Sequence, residues 1–219
     1  CRIEELTSNT KYYARTFATN SEGTGYGNKI EFTTNTTVTD IEENIYNTVS
    51  IGTQVWMVEN LKTTKYNDGT GIPINNTGWA DLVTPSYCWY EYNVMNKNLY
   101  GALYNWPVVI SGKLCPLGWH VPTDAEWVAL IDYLEDENNA GSYLKAAGTD
   151  WNTTNFEATN YAGFCALPGG ISGAALGSFT GKGDMGVWWS STIDYSFDVD
   201  QGMIVTWLMF KGNSGVSRN

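Results

Sequence analysis

The chain has 219 residues, 42% hydrophobic and 16% charged, a composition that can bury a sizeable core and excludes general disorder. With 12 Lys and Arg against 23 Asp and Glu, its formal charge of −11 makes nucleic acid an unfavourable partner. No run of about 18 apolar residues and no leader-like segment is present, so neither a membrane-spanning helix nor a signal peptide is predicted.

The N-terminal segment has the pattern of a β-hairpin. Residues 12–19 and 29–34 alternate between apolar and polar side chains, and residues 20–27 between them are rich in turn formers. The segments Thr10–Asn20 and Gly25–Asn28 resemble the last two strands of a fibronectin type III domain. Because an isolated hairpin is marginally stable in water, this one is expected to pack on the next part of the chain or to stay mobile.

A domain boundary is predicted at the polar segment 35–40. It separates the partial fibronectin type III-like hairpin, residues 1–34, from one main domain over residues 41–219, in which no long segment recurs. The chain begins with Cys1 instead of Met, so residues are expected upstream, and a lipoprotein modified at Cys1 is one alternative.

The main domain has one well-signalled helix. Thr123 and Glu126 have the spacing of a capping box, and apolar residues follow them at helical spacing. A shorter second helix is predicted over Ser142–Ala147, ended by Gly148 in a left-handed conformation.

Strands are predicted on both sides of these helices. The segment Asn44–Trp56 reads as a strand pair turning at Ser50–Gly52, and Trp188–Trp189 and Gln201–Lys211 read as late strands. Since strands and helices do not alternate in βαβ order, the predicted class is α+β, with several short antiparallel strands.

Separated motifs between about residues 40 and 218 carry a family resemblance. They are Gly52–Leu61, Tyr87–Tyr90, Tyr100–Trp106, Cys115–Thr123, Gly163–Phe164, Ala166–Gly170 and Trp188–Thr192. This region resembles the bacterial Fibrobacter succinogenes major paralogous domain. The resemblance implies a C-type-lectin-like fold in secreted or lipid-anchored surface proteins, and no established activity.

The cysteines of the main domain cannot all pair with one another. In an oxidising compartment, one disulfide among Cys88, Cys115 and Cys165 is expected, and their spacing matches no zinc motif. The resemblance implies that a final strand ending in cysteine follows the segment matching Gly215–Arg218. The domain is therefore expected to be truncated at its C-terminal end, with one thiol left without a partner.

An enzyme is an alternative function. Cys115 and the single histidine, His120, could form the nucleophile and base of a hydrolase, or could simply shape the turn before the helix. An oxidase related by fold to the formylglycine-generating enzymes would need a late pair of cysteines, and no cysteine follows Cys165.

The late acidic loop offers a second alternative, a Ca²⁺ site. Asp194, Asp198 and Asp200 alternate in it, but a solvated acidic loop explains them as well, because the spacing of a hand-type calcium loop is missing. The Glu-Pro-Asn and Gln-Pro-Asp tripeptides of calcium-dependent lectins are also missing. No cofactor is therefore predicted, with Ca²⁺ as the alternative.

Ligand contacts are expected after the Trp-Ser-Ser motif, as the resemblance to lectin-like variable domains implies. The candidate residues are Tyr195, Phe197, Asp198, Asp200, Trp207, Lys211 and Asn213. Exposed aromatic rings beside polar groups suit either sugars or proteins, although Trp207 and Phe197 could instead be core. The prediction is a non-catalytic recognition module on a bacterial cell surface or in the extracellular space, binding carbohydrate or protein; a structural spacer is the remaining alternative.

Overall fold

The computed structural model describes residues 11–33, 36–76, 78–79, 83–134, 138–148, 150–152, 158–173, 178–196 and 203–219. The chain divides into two compact units, Cys1–Thr37 and Val38–Asn219. The architecture is mixed, with few helices and many short antiparallel strands, as predicted. Within the described residues, no helix is long and apolar enough to cross a bilayer.

The described part of the first unit contains four short strands in two antiparallel pairs. They are β1 (Lys11–Ala14), β2 (Phe17–Asn20), β3 (Gly23–Tyr26) and β4 (Ile30–Thr33). Strand β1 pairs with β4, and β2 pairs with β3. The turn is shorter than the predicted 20–27, because the side-chain oxygen of Asn20 accepts hydrogen bonds from the backbone N–H groups of Glu22 and Gly23, at 2.9 and 3.2 Å.

Half of the predicted linker belongs to a sheet. Strand β5 (Thr37–Thr39) pairs with β6 (Ile45–Ile51), which pairs in turn with β7 (Gln54–Met57). The next residue after β5, Asp40, is 7% exposed and accepts a hydrogen bond of 2.7 Å from the hydroxyl of Tyr46. The β-branched residues before Asp40 favour a strand, and its carboxylate fixes the turn after it.

The remaining elements of the second unit are short. They are β8 (Tyr87–Cys88), α1 (Lys97–Tyr100), β9 (Leu103–Tyr104), α2 (Trp106–Val109), α3 (Asp124–Tyr133), α4 (Ala140–Leu144), β10 (Gly169–Ser172), β11 (Phe179–Lys182), β12 (Met185–Asp194), β13 (Met203–Phe210) and β14 (Ser217–Arg218). Two single turns of 3-10 helix, Tyr90–Tyr92 and Val94–Asn96, precede α1. Strand β13 lies between β12 and β14, β8 pairs with β9, and β10 pairs with β11.

The predicted capping box at the start of α3 is confirmed. The hydroxyl of Thr123 accepts a hydrogen bond from the backbone N–H of Glu126 at 3.2 Å, and the Glu126 carboxylate accepts one from the Thr123 N–H at 2.7 Å. The second helix differs from its predicted range. It spans Ala140–Leu144 and ends where Lys145 becomes extended, so Gly148 lies beyond its end.

Two clusters of buried side chains form the core of the second unit. The α3 cluster consists of Ile51, Trp56, Trp127, Leu130, Ile131, Ala140, Leu144, Trp151, Phe164, Ala166, Val205, Trp207 and Met209. The α2 cluster consists of Ile72, Tyr87, Trp89, Tyr104, Val108, Val109 and Leu114. Both clusters contain several aromatic rings, and in the α3 cluster the rings of Trp56 and Trp127 lie 5.0 Å apart.

Candidate functional site

A cleft of about 530 Å³ is bordered by residues of both core clusters. We call it the aromatic cleft. Its lining comprises residues 53–61, 100, 102–104, 109, 114–115, 118–122, 126–127, 164, 166–167, 169–170 and 187–189. Most of the separated sequence motifs contribute to this lining, although they lie far apart along the chain. The fold therefore brings the motifs together around one space.

Among the described residues, four of the five indole N–H groups in the cleft wall are hydrogen-bonded within the protein, and the exception is Trp119. The Trp188 indole donates to the side-chain oxygen of Asn60 at 3.2 Å, and the Trp189 indole donates to the carbonyl of Tyr104 at 2.9 Å. The Trp127 indole donates to the carbonyl of Trp189 at 3.3 Å. A ligand in the cleft therefore meets the faces and edges of these rings but not their donors.

The two amide side chains in the lining are also engaged. The Asn60 amide group donates to the carbonyl of Tyr100 at 2.9 Å, while its oxygen accepts from Trp188 at 3.2 Å. Gln54 donates to the carbonyl of Glu126 at 3.1 Å and accepts from the Trp56 indole at 3.3 Å. These bonds fix both amides in place and use one N–H and one oxygen lone pair of each, which is half of the hydrogen-bonding capacity of an amide.

The acidic and basic side chains of the lining are those of Glu59, His120 and Glu126. The His120 ring nitrogen Nε2 lies 2.9 and 3.0 Å from the two carboxylate oxygens of Glu126. Burial alone would raise the pKa of Glu126, but hydrogen bonds from the Thr123 backbone, His120 and the Thr123 hydroxyl lower it below its ordinary value. The Glu59 carboxylate accepts two hydrogen bonds from Asn47, at 2.7 and 2.6 Å.

The lowered pKa of Glu126 predicts a loss of stability in acid. The ionised Glu126 carboxylate stabilises the folded state fully above the ordinary carboxyl pKa of 4.5. This stabilisation is lost as the pH falls through the lowered pKa of the folded state. Between about pH 7 and pH 3, wild type should lose up to about 1 kcal/mol more unfolding free energy than Glu126→Gln. Urea titrations measure this difference. Asp132→Asn, an exposed change on the same helix, should follow wild type; equal losses in all three proteins would contradict the prediction.

The cysteines do not form the expected disulfide. Cys88, Cys115 and Cys165 are all free thiols, and the described part of the chain contains no bridge. Burial raises the pKa of Cys88 and of Cys115 to about 12, so both stay protonated at neutral pH. In the described residues no hydrogen bond joins Cys115 to His120, which pairs with Glu126 instead.

The late candidate residues do not form one site. Tyr195 is exposed just after β12, whereas Lys211 and Asn213 follow the far end of β13. Because β12 and β13 are antiparallel, with Asp194 opposite Met203, Tyr195 and Lys211 lie at opposite ends of the hairpin. At about 3.3 Å per residue, this separates them by more than about 20 Å. Phe197, Asp198 and Asp200 lie outside the described residues.

Other late residues have structural partners. Trp207 is 6% exposed in the α3 cluster, and its indole donates to the Asp124 carboxylate at 3.1 Å, so its ring is core. Lys211 pairs with Asp184 at 2.9 Å, and the Asn213 side chain accepts from the N–H of Gly215 at 2.8 Å. These interactions account for the three predicted residues without a ligand.

The described part of the acidic loop contributes to an ion pair. The carboxylate of Asp194 lies 2.7 Å from the Arg218 guanidinium, which also contacts Asp124 at 3.0 Å. Hydrogen bonds from Ser196 and Arg218 lower the pKa of Asp194 to about 2. Among the described residues, no group of three or more His, Cys, Asp or Glu side chains is arranged to hold a metal ion.

The residues around the aromatic cleft match a known family. The sequence model of the family described as the Fibrobacter succinogenes major domain matches residues 49–217. This range includes every motif that contributes to the cleft. No curated protein and no solved structure matches the chain significantly. Since the matched region covers most of the sequence, the chain belongs to the Fibrobacter succinogenes major domain family.

Proposed function

We propose that the unit Val38–Asn219 is a binding module without catalytic activity, and that its ligand occupies the aromatic cleft. The observation that carries this proposal is the convergence of the separated family motifs on one cleft of about 530 Å³. Ligand pockets in proteins typically measure about 300–1,000 Å³ and combine apolar walls with a few polar groups. The aromatic cleft has both properties.

The chemistry of the lining favours binding over catalysis. A cysteine hydrolase needs a thiolate beside a base, but burial raises the pKa of Cys115 to about 12, and His120 is hydrogen-bonded to Glu126. The amides of Gln54 and Asn60 are held by the protein itself. These groups build a fixed wall and include no activated nucleophile.

The setting of this module is part of the proposal. The family resemblance supports a C-type-lectin-like fold in a secreted or surface-anchored bacterial protein, next to a fibronectin type III-like segment. Carbohydrate or protein ligands bound through the late loops were the expectation from sequence. The separation of Tyr195 from Lys211 favours the cleft as the binding site instead.

A binding screen with matched variants tests this proposal. Glycans, peptides and small organic compounds would be screened for thermal stabilisation of wild type, Val58→Trp and Tyr195→Ala. Val58 lines the cleft, so tryptophan there should remove most of the volume open to a ligand, whereas Tyr195 is exposed after β12. We expect hits that bind wild type and Tyr195→Ala but not Val58→Trp. Hits lost only in Tyr195→Ala would contradict the cleft and favour the late loop.

A further inference from the structure

We propose that the aromatic cleft binds a small organic cation, an amine attached to an apolar body. This inference rests on the proposed function and specifies the class of ligand. It follows from the hydrogen-bonding capacity of the walls, the kind of ring surface that they present, and the sign of the charges in the lining.

The walls offer aromatic surface and few hydrogen bonds. The indole donors of Trp56, Trp188 and Trp189 are all used within the protein. Besides the indole N–H of Trp119, these tryptophans offer a ligand their ring surface, whose negative face attracts cations, most strongly in tryptophan. An apolar body would be buried against the same rings.

A sugar fits this wall poorly. Each hydroxyl that enters an apolar site needs a hydrogen-bonding partner, because burying an unpaired polar group is costly. The amides of Gln54 and Asn60 are already engaged at both ends, and the hydroxyl of Tyr104 donates to the carbonyl of Thr63 at 2.7 Å. Half of the hydrogen-bonding capacity of both amides is thus already used, and the ring surface beside them offers no partner to the hydroxyls of a carbohydrate.

The charges of the lining favour a cation over an anion. Glu59 and Glu126 contribute carboxylates, His120 is hydrogen-bonded to Glu126, and the described lining contains no Lys or Arg. Lys182, which interacts electrostatically with Tyr100 in the lining, is paired with Glu91 at 3.3 Å. The formal charge of −11 also steers cations towards the protein and anions away from it.

Ligands that share one ring but differ in charge separate the contribution of the ring surface from that of the charges. Phenethylamine, phenethyl alcohol and phenylacetate share one ring and differ in charge, and methyl glucoside serves as the sugar. Isothermal titration and shifts in nitrogen-edited NMR spectra of the whole chain measure their affinities. We expect the amine to bind at least about tenfold more tightly than the acid, with the alcohol between them and the sugar weakest.

Two pairs of variants locate the binding and its charge preference. Glu59→Gln should reduce the preference for the amine over the acid, whereas Glu43→Gln, which removes an exposed carboxylate outside the lining, should preserve it. Trp119→Ala should weaken binding of all three ring compounds, whereas Leu117→Ala, an 82% exposed position, should not. Trp119 is only partly buried, so this pair remains informative if Val58→Trp fails to fold.

The outcomes distinguish this inference from the proposed function. If the acid, the alcohol or the sugar binds as tightly as the amine, and the affinity falls in Trp119→Ala, the cleft is a binding site but not one for cations. If the amine binds and its affinity is unchanged in Trp119→Ala and Val58→Trp, both proposals fail. If the amine does not bind to the folded wild-type chain, the inference that the cleft binds an organic cation is wrong.

Discussion

Replacing Gly101 with alanine is expected to lower the free energy of unfolding by about 3 kcal/mol or more. Gly101 has a φ of 72°, and a Cβ atom there would lie 2.7 Å from both the Asn60 Cβ and the Leu61 carbonyl oxygen. The second contact is with backbone, which cannot rotate away. Urea unfolding followed by tryptophan fluorescence measures the loss.

Gly118 provides the matched control for this change. Its φ is 85°, and a Cβ atom there would meet nothing within 4 Å. Gly118→Ala should therefore cost only the left-handed backbone term, about 1–2 kcal/mol. Gly101 approaches Asn60 and Leu61 at the border of the aromatic cleft. If both variants lose the same free energy of unfolding, this approach leaves room for a Cβ atom, which would contradict the prediction.

The second large effect is expected at Lys145, which is 1% exposed. Its ammonium group donates to the carbonyls of Phe210 and Asn213, at 2.8 and 2.5 Å, and lies 5.1 Å from the centre of the Trp151 ring. Lys145→Met keeps most of the side-chain volume but leaves both carbonyls without this donor. We expect a loss of about 3 kcal/mol, measured by denaturant unfolding.

Lys97 is the control for a cation–ring contact on a less buried lysine. Its ammonium lies 5.5 Å from the centre of the Trp89 ring, and its side chain is only half-buried. Lys97→Met should cost about 1 kcal/mol or less. A loss at Lys145 no greater than that at Lys97 would show that the carbonyl contacts contribute little.

Sequence patterns predicted the helices and strands that are stabilised by contacts between residues close in sequence. The capping box of Thr123 and Glu126 marks the start of α3 because both partners lie within one helical turn. Alternation predicted the β6–β7 pair, whose turn is only two residues long. The predicted end of α4 was wrong. Gly148 has the character of a helix-terminating residue, but the chain already becomes extended at Lys145.

The candidate site depended on contacts that no local pattern contains. The cleft forms where Asn60 bonds to Trp188, more than a hundred positions later, and such pairings follow from packing. A polar pair, Glu59 and Asn60, inside an apolar motif was the available signal. The late-loop prediction treated residues close in sequence as close in space, whereas an antiparallel strand carries Tyr195 and Lys211 apart.

The most direct test of the cleft as the binding site is a crystallographic screen of the wild-type chain with mixtures of small basic, neutral and acidic compounds and sugars. We expect repeated ligand density in the aromatic cleft, against the rings of Trp119 and Trp188, with basic compounds enriched among the hits. Ligand density that recurs beside Tyr195 while the cleft stays empty of every compound would contradict it.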